Sequence, residues 1–227
     1  ENSASFAIRQ QRKKQKKQRP YPPFTTSTLQ QAAGGLMRFT ARQTMSVAQQ
    51  LYEGVELGGE GATGLITYMR TDSVAVAGEA QQAALGHIKE NFGEDYCPKK
   101  PNRYKSGKGA QEAHEAIRPT DVTRTPDQLA PYLNDNQLRL YRLIWVRFVA
   151  SQMAPAILSE NTIEVSADNQ PLKHSYIFRA TVTETIFPGY KKVYDQIRKE
   201  SGKKQKDEGP KELPAVKEGQ ECALEKL

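Results

Sequence analysis

The amino-acid sequence predicts an α+β chain of more than one domain, with a mainly helical domain inserted between strand-rich ends whose strands are expected to be antiparallel. Three observations carry this. Residues 3–8, 161–166 and 176–183 are rich in β-branched or aromatic side chains with partial alternation, the pattern of half-buried strands. Between Met45 and Val149 the apolar residues instead recur at helical spacing. Prolines at 20, 22, 23 and 155 interrupt regular structure where the pattern changes. The expected division is 1–19 and 156–227 for the sheet domain and 20–155 for the helical domain.

Taken in order, the strand-like start gives way at 9–19 to Lys and Arg among Gln, which reads first as a solvated loop and second as a DNA-facing arm. Thr25 to Thr28 read first as caps of a helix containing Leu29 and second as hydroxyls that meet phosphate, and the Gly34-Gly35 pair is expected to break that helix, since each glycine costs about 1 kcal/mol against alanine. Thr40 with Gln43 makes a capping box for a helix carrying Met45, Ala48, Leu51, Tyr52 and Val55, with Gly54 placed to end it. Ser73 is the expected cap of the next helix, whose buried face is Val76, Ala80, Ala83, Ala84, Ile88 and Phe92, with Gly93 beyond it. Thr125-Pro126-Asp127 reads as a cap with proline at the first helical position, opening a short helix through Leu129 toward Leu133. Leu138, Tyr141, Ile144, Trp145, Phe148 and Val149 stripe a longer helix, and Trp145 needs no role beyond the core. Residues 199–211 are charged and without periodicity, so a flexible loop is expected there before a final strand at 220–227.

The 33 Lys and Arg against 26 Asp and Glu leave a net charge of +7, the sign expected for a polyanion partner. Cys97 and Cys222 stand alone, so neither a disulfide framework nor a zinc site is implied. No apolar run reaches the roughly 20 residues of a membrane span, and no signal-peptide pattern opens the chain. A soluble, cytoplasmic, monomeric protein is expected. The chain begins at Glu1 in strand-like sequence without an initiator Met, and reads as an excised part of a longer polypeptide. Gly107-Lys108-Gly109 is too short for a phosphate loop and reads as a flexible turn.

The candidate reacting centre is Tyr68, in Gly64-Leu65-Ile66-Thr67-Tyr68-Met69-Arg70-Thr71-Asp72-Ser73, where a phenol stands two residues from a guanidinium as apolar sequence turns polar. A tyrosine hydroxyl, with an ordinary pKa of about 10, is a poor nucleophile unless charge stabilisation and proton removal lie nearby. Arg70 is always charged and its planar fork matches two phosphate oxygens. His114 and Arg118 stand four apart, and would share a face if 111–117 were helical, before Pro119 stops the helix.

Together with Pro22-Pro23-Phe24-Thr25-Thr26-Ser27-Thr28-Leu29-Gln30-Gln31 upstream and Gln111-Glu112-Ala113-His114-Glu115-Ala116-Ile117-Arg118-Pro119-Thr120 downstream, this segment closely resembles the bacterial type IA DNA topoisomerases. The resemblance runs from about Tyr21 through the Trp145 helix and more weakly to the end. It implies that the strand-rich ends form a β-rich arch domain and that the inserted helical domain carries the catalytic tyrosine. By the same resemblance Tyr68 is the nucleophile forming a 5′-phosphotyrosyl link, Arg70 contacts the scissile phosphate, and His114 assists DNA binding and cleavage. Arg118 is divided between phosphate contact and structural pairing, and Glu112 and Glu115 orient partners or cap a helix.

The resemblance further implies ATP-independent relaxation of negatively supercoiled DNA, with single-stranded DNA and the remaining domains of the parent chain as partners and association with the nucleoid. It also implies Mg²⁺ held by the acidic cluster of a separate TOPRIM domain. No Asp-x-Asp-x-Glu cluster occurs in this chain, so no metal is expected on it, and these residues alone are expected to bind DNA weakly, if at all, and not to cleave it efficiently. A non-catalytic DNA-binding or structural module is therefore the alternative reading. Tyrosine recombinases also use Tyr, Arg and His, but place the tyrosine last, whereas Tyr68 precedes His114 and Arg118.

Overall fold

The computed structural model describes residues 5–105, 114–169, 174–200 and 212–223. In chain order the elements are β1 (Ser5–Gln18), α1 (Thr26–Met37), α2 (Ala41–Glu53), β2 (Val55–Glu56), β3 (Ala62–Thr63), α3 (Gly78–Phe92), α4 (Pro126–Leu129), α5 (Asp135–Gln152), β4 (Ala156–Asn169), β5 (His174–Phe187), α6 (Lys191–Glu200) and β6 (Glu221–Cys222). They fall into two compact units. One comprises Glu1–Gln18, Ala156–Pro188 and Ser201–Leu227, the other Arg19–Pro155 and Gly189–Glu200. Among the described residues no helix is long and apolar enough to cross a membrane.

The first unit is an antiparallel sheet of order β5-β4-β1-β6. The basic stretch expected as a loop is instead the greater part of β1, paired from Ser5 opposite Asp168 to Gln18 opposite Ala156, with a register shift at Arg9. Pairing with β4 satisfies the backbone groups of β1, so its Lys, Arg and Gln side chains need no apolar face to remain extended. Ile8, Leu158, Ile163 and Ala167 form the small buried core. Arg179 donates from Nε (2.9 Å) and Nη2 (2.6 Å) to Glu164, which also accepts from Gln10 (2.6 Å). These hydrogen bonds hold the Glu164 carboxyl below its ordinary pKa. The final strand lies at β6, and residues 224–227 fall outside the described residues, as do 106–113 with the Gly107-Lys108-Gly109 turn and 201–211 of the expected loop.

The helical unit is built round α5. Asn134 and Gln137 close a reciprocal capping box at its start, and from Leu140 onward it is buried on nearly every side. Trp145 Nε1 donates to the Val122 carbonyl (2.9 Å) and the Tyr141 hydroxyl to that of Arg124 (2.7 Å), so both rings lie in the core with their polar atoms satisfied. Burial raises the Tyr141 hydroxyl far above its ordinary pKa.

Four local expectations change. α1 does not break at Gly34-Gly35 but continues to Met37, because Leu29 and Ala33 bury its face; Arg38 then ends it in the left-handed region (φ 61°). α2 has the Thr40 cap and the Gly54 stop (φ 127°), but its buried face is Thr44, Val47, Ala48 and Leu51, leaving Tyr52 outside. α3 starts at Gly78, with Ala77 as its first flanking residue, because Ser73 Oγ accepts from Ala75 N–H (3.1 Å) in a local turn; its buried residues are Ala84, His87 and Ile88. α6 occupies a stretch expected to belong to the sheet domain: Tyr190 and Val193 are buried and the helix packs on α5, so Gly189–Glu200 belongs to the helical unit.

His87 is buried edge-on to Trp145, with ring centroids 5.4 Å apart. Burial lowers its pKa below the ordinary 6.5, against the opposing pull of Glu90 and Asp121. The unfolded chain therefore takes up a proton near pH 6.5 that the folded chain refuses, so stability is full above that pH and declines below it. Between pH 7.5 and 5.5 the denaturant midpoint should fall, by less than the limit for one proton of about 1.4 kcal/mol per pH unit. A His87→Leu variant should show a smaller fall, which urea titrations at the two pH values would measure.

Candidate active site

Tyr68 lies in the helical unit on a stretch that is neither helix nor sheet, yet the backbone around it is fixed on both sides. Upstream, Leu65 N–H donates to the Leu51 carbonyl in the last turn of α2 (2.7 Å). Gly64 runs so close to that turn that a Cβ there would stand 2.7 Å from the Tyr52 carbonyl oxygen. Ile66 bridges Pro119, Thr67 N–H donates to the Arg118 carbonyl (2.9 Å), and Thr120 N–H donates to that of Leu65 (3.0 Å). The Thr67 hydroxyl donates to the Ala116 carbonyl (2.7 Å) and accepts from Arg118 N–H (3.0 Å).

Downstream, Thr26, the first residue of α1, performs the same service. Its hydroxyl donates to the Met69 carbonyl (2.8 Å) and accepts from Thr71 N–H (2.8 Å), while its own N–H donates to the Thr71 carbonyl (2.9 Å). Thr25, not Thr26, makes the capping box with Thr28. Ile117 N–H donates to the Phe24 carbonyl (2.8 Å), and Ala116 N–H to that of Ala75 (2.8 Å). The segments around Thr26, Tyr68 and Ile117, distant in sequence, are thus laced into one layer.

Thr67 is the knot of that lacing. Replacement by valine keeps the shape but leaves the Ala116 carbonyl and Arg118 N–H without their hydroxyl partner, at about 1–3 kcal/mol for such a loss. Thermal unfolding of Thr67→Val should show a fall of that size, and Thr67→Ser, which keeps the oxygen, should recover most of it.

Within this frame the Tyr68 ring is half exposed and meets the Tyr52 ring edge-on, with centroids 5.4 Å apart and planes at 64°. Arg70 and His114 are exposed, and among the described residues neither takes part in a hydrogen bond or ion pair. Residues 114–116 have no helical structure and Ile117 is in a β-bridge, so His114 and Arg118 do not share a helix face; pairing with Phe24 and Ala75 holds this stretch extended. Gln111 and Glu112 lie outside the described residues.

Arg118 is committed to structure. Its side chain is 12% exposed, its Nη2 pairs with Glu115 Oε2 (2.7 Å), its Nη1 donates to the Pro119 carbonyl (2.9 Å), and its Nε is buried without a partner. Glu115 accepts with its other oxygen from Ala77 N–H, and so ties the approach to α3 to the His114 stretch. Sequence reasoning did not single out Thr67 or Tyr52 for this site. Nothing local to Thr67 signals its partners, and Tyr52 was absorbed into the helical stripe. Among the described residues no group of three or more His, Cys, Asp or Glu is placed to hold a metal ion.

In the helical unit an exposed tyrosine, arginine and histidine thus stand on a backbone laced together from three distant segments. A family model described as DNA topoisomerase matches residues 1–227. The DNA topoisomerase 1 proteins of two Xylella fastidiosa strains, Temecula1 / ATCC 700964 and 9a5c, are each 47% identical to this chain over 215 residues, covering 94% of it and 26% of their own length. The structure of full-length topoisomerase I from Thermotoga maritima in a monoclinic crystal form matches with a TM-score of 0.75 at 39% identity, over 96% of this chain and 32% of that one. The chain belongs to the bacterial type IA DNA topoisomerases. It spans about a quarter of the length of the curated relatives it matches.

Proposed function

We propose that these residues supply the nucleophile of a type IA topoisomerase that relaxes negatively supercoiled DNA by transient cleavage of one strand, strand passage and religation. The Tyr68 oxygen attacks the scissile phosphorus, an O–P bond to tyrosine forms at the 5′ phosphate, and the bond to the 3′ oxygen breaks. The tyrosine gives up its proton and the departing 3′ oxygen gains one, and religation reverses each step. The new ester retains the bond energy of the old one, so no ATP is needed. Arg70 binds the phosphoryl oxygens as negative charge builds on them, and His114 donates to the DNA at the cleavage point. The observation that carries this reading is that Tyr68 stands exposed on a backbone fixed to both of the other motif segments, with the polar heads of Arg70 and His114 left unengaged among the described residues. Arg118, paired with Glu115, braces that stretch rather than contacting phosphate.

Magnesium would supply charge neutralisation at the scissile phosphate, and the family resemblance implies that the carboxylates that would hold it lie in a separate TOPRIM domain. Single-stranded DNA is the partner of the Tyr68 site, and the setting is the cytoplasm, at the nucleoid. That the chain spans about a quarter of the length of its relatives favours a second description for residues 1–227 taken alone: a salt-sensitive DNA-binding module that does not cut.

Incubation with a 3′-labelled single-stranded oligonucleotide and Mg²⁺, with and without the remaining domains, distinguishes the two. A denaturation-resistant adduct on the 3′-labelled fragment that needs those domains and is lost in Tyr68→Phe supports the enzyme. Binding without an adduct, once assembly with those domains is verified, supports the module.

A further inference from the structure

Tyr52 stands where the helical pattern of α2 would place a core residue, yet it is 41% exposed. The buried face of α2 is complete without it: Thr44, Val47, Ala48 and Leu51 fill the i, i+3, i+4, i+7 positions. What Tyr52 touches instead is the candidate nucleophile. Its ring meets the Tyr68 ring edge-on, the one aromatic contact Tyr68 makes among the described residues. Its backbone is in register with the same segment twelve residues on, where the Tyr52 carbonyl leaves room only for glycine at 64 and the Leu51 carbonyl accepts from Leu65 N–H (2.7 Å). The last turn of α2 therefore grips the Tyr68 segment at two points, by main chain at Gly64-Leu65 and by ring at Tyr68.

From this we infer that Tyr52 is a positioning residue for strand cleavage, holding the Tyr68 phenol in one orientation through the edge-to-face contact of the two rings. The inference rests on Tyr68 being the nucleophile. The physical need is plain: the Tyr68 ring is half exposed, so its side-chain torsions are free to wander unless a neighbour restricts them, and attack on phosphorus requires alignment. The contact acts through the ring face and edge, not through the Tyr52 hydroxyl, so phenylalanine should replace tyrosine at 52 while alanine should not.

The test uses the intact enzyme carrying these residues. In single-turnover cleavage of a saturating single-stranded oligonucleotide with Mg²⁺, Tyr52→Ala should cleave about three- to tenfold more slowly, the range expected from losing one aromatic pair. Tyr52→Phe should cleave within about twofold of the parent. Affinity for the oligonucleotide, measured in the Tyr68→Phe background where no cleavage occurs, should be unchanged by Tyr52→Ala, and the melting temperature should fall by no more than the few degrees that one aromatic pair accounts for, because the buried face of α2 is untouched. Parental cleavage by Tyr52→Ala overturns the inference, as does a Tyr52→Phe variant as slow as Tyr52→Ala, or a slowing matched by lost affinity or by a larger fall in melting temperature. If Tyr68→Phe itself still formed an adduct, the reading of Tyr68 as the nucleophile would be the one to fall.

Discussion

Replacing Tyr68 with phenylalanine should abolish the covalent DNA adduct and lower relaxation of a negatively supercoiled plasmid by the intact enzyme at least about a thousandfold, as removal of a nucleophile does elsewhere. The same change should leave the fold within about 0.5 kcal/mol of its parent, because the side chain is half exposed and its hydroxyl has no hydrogen bond among the described residues. Both halves matter. A plasmid assay on agarose measures the first, and a thermal melt measures the second. A variant that relaxed plasmid at even a tenth of the parental rate would assign the chemistry to another residue.

Gly64→Ala should be the most damaging single methyl near the site. The added Cβ would stand 2.7 Å from the Tyr52 carbonyl oxygen, a backbone atom, so the clash is relieved only if the end of α2 or the Tyr68 segment moves. Overpacking of this kind costs about 1–3 kcal/mol, which for a chain of this size lowers the melting temperature by roughly 2–4 °C per kcal/mol. The displacement falls four residues from Tyr68, so cleavage should slow on the order of tenfold as the phenol leaves its alignment. Differential scanning fluorimetry and single-turnover cleavage read the two effects. An alanine variant with parental stability and rate would mean that the close approach at Gly64 fixes nothing.

The features readable in the sequence were those whose cause is local. The caps at Thr40 and Thr125 lie within three residues of their partners, and the period of α5 repeats over five turns, so these helices follow from short-range rules. The basic part of β1 beyond Ile8 could not be read, because a strand of Lys, Arg and Gln has no apolar alternation and owes its form to β4, roughly 150 residues away. α6 was missed since its segment is mostly charged, and among its described side chains and the residue before it only Val193 and Tyr190 are buried. At Gly34-Gly35 the local penalty was real but smaller than the gain from seating Leu29 and Ala33.

At the site, the three motifs that nominate Tyr68, Arg70 and His114 were legible by their order. Their support was not. Thr67 is joined to Ala116 and Arg118, 49 and 51 residues on, and nothing at position 67 announces those partners. The helical reading of 111–117 failed for the same reason: residues 114–117 pair with Phe24 and Ala75, and that long-range pairing overrides local propensity.

The central claim is that Tyr68 forms the bond to DNA, and the neighbouring Tyr52 makes its assignment demanding. No Lys or Arg lies between Arg42 and Arg70, so both tyrosines fall in one tryptic peptide starting at Gln43. The decisive measurement traps the adduct formed by the intact enzyme on a short single-stranded oligonucleotide, digests protein and DNA, and fragments the nucleotide-linked peptide in a mass spectrometer. The account predicts that the phosphonucleotide mass lies on fragments containing Tyr68 and is absent from those that end before it. The mass on Tyr52, or on a peptide outside this stretch, would contradict it.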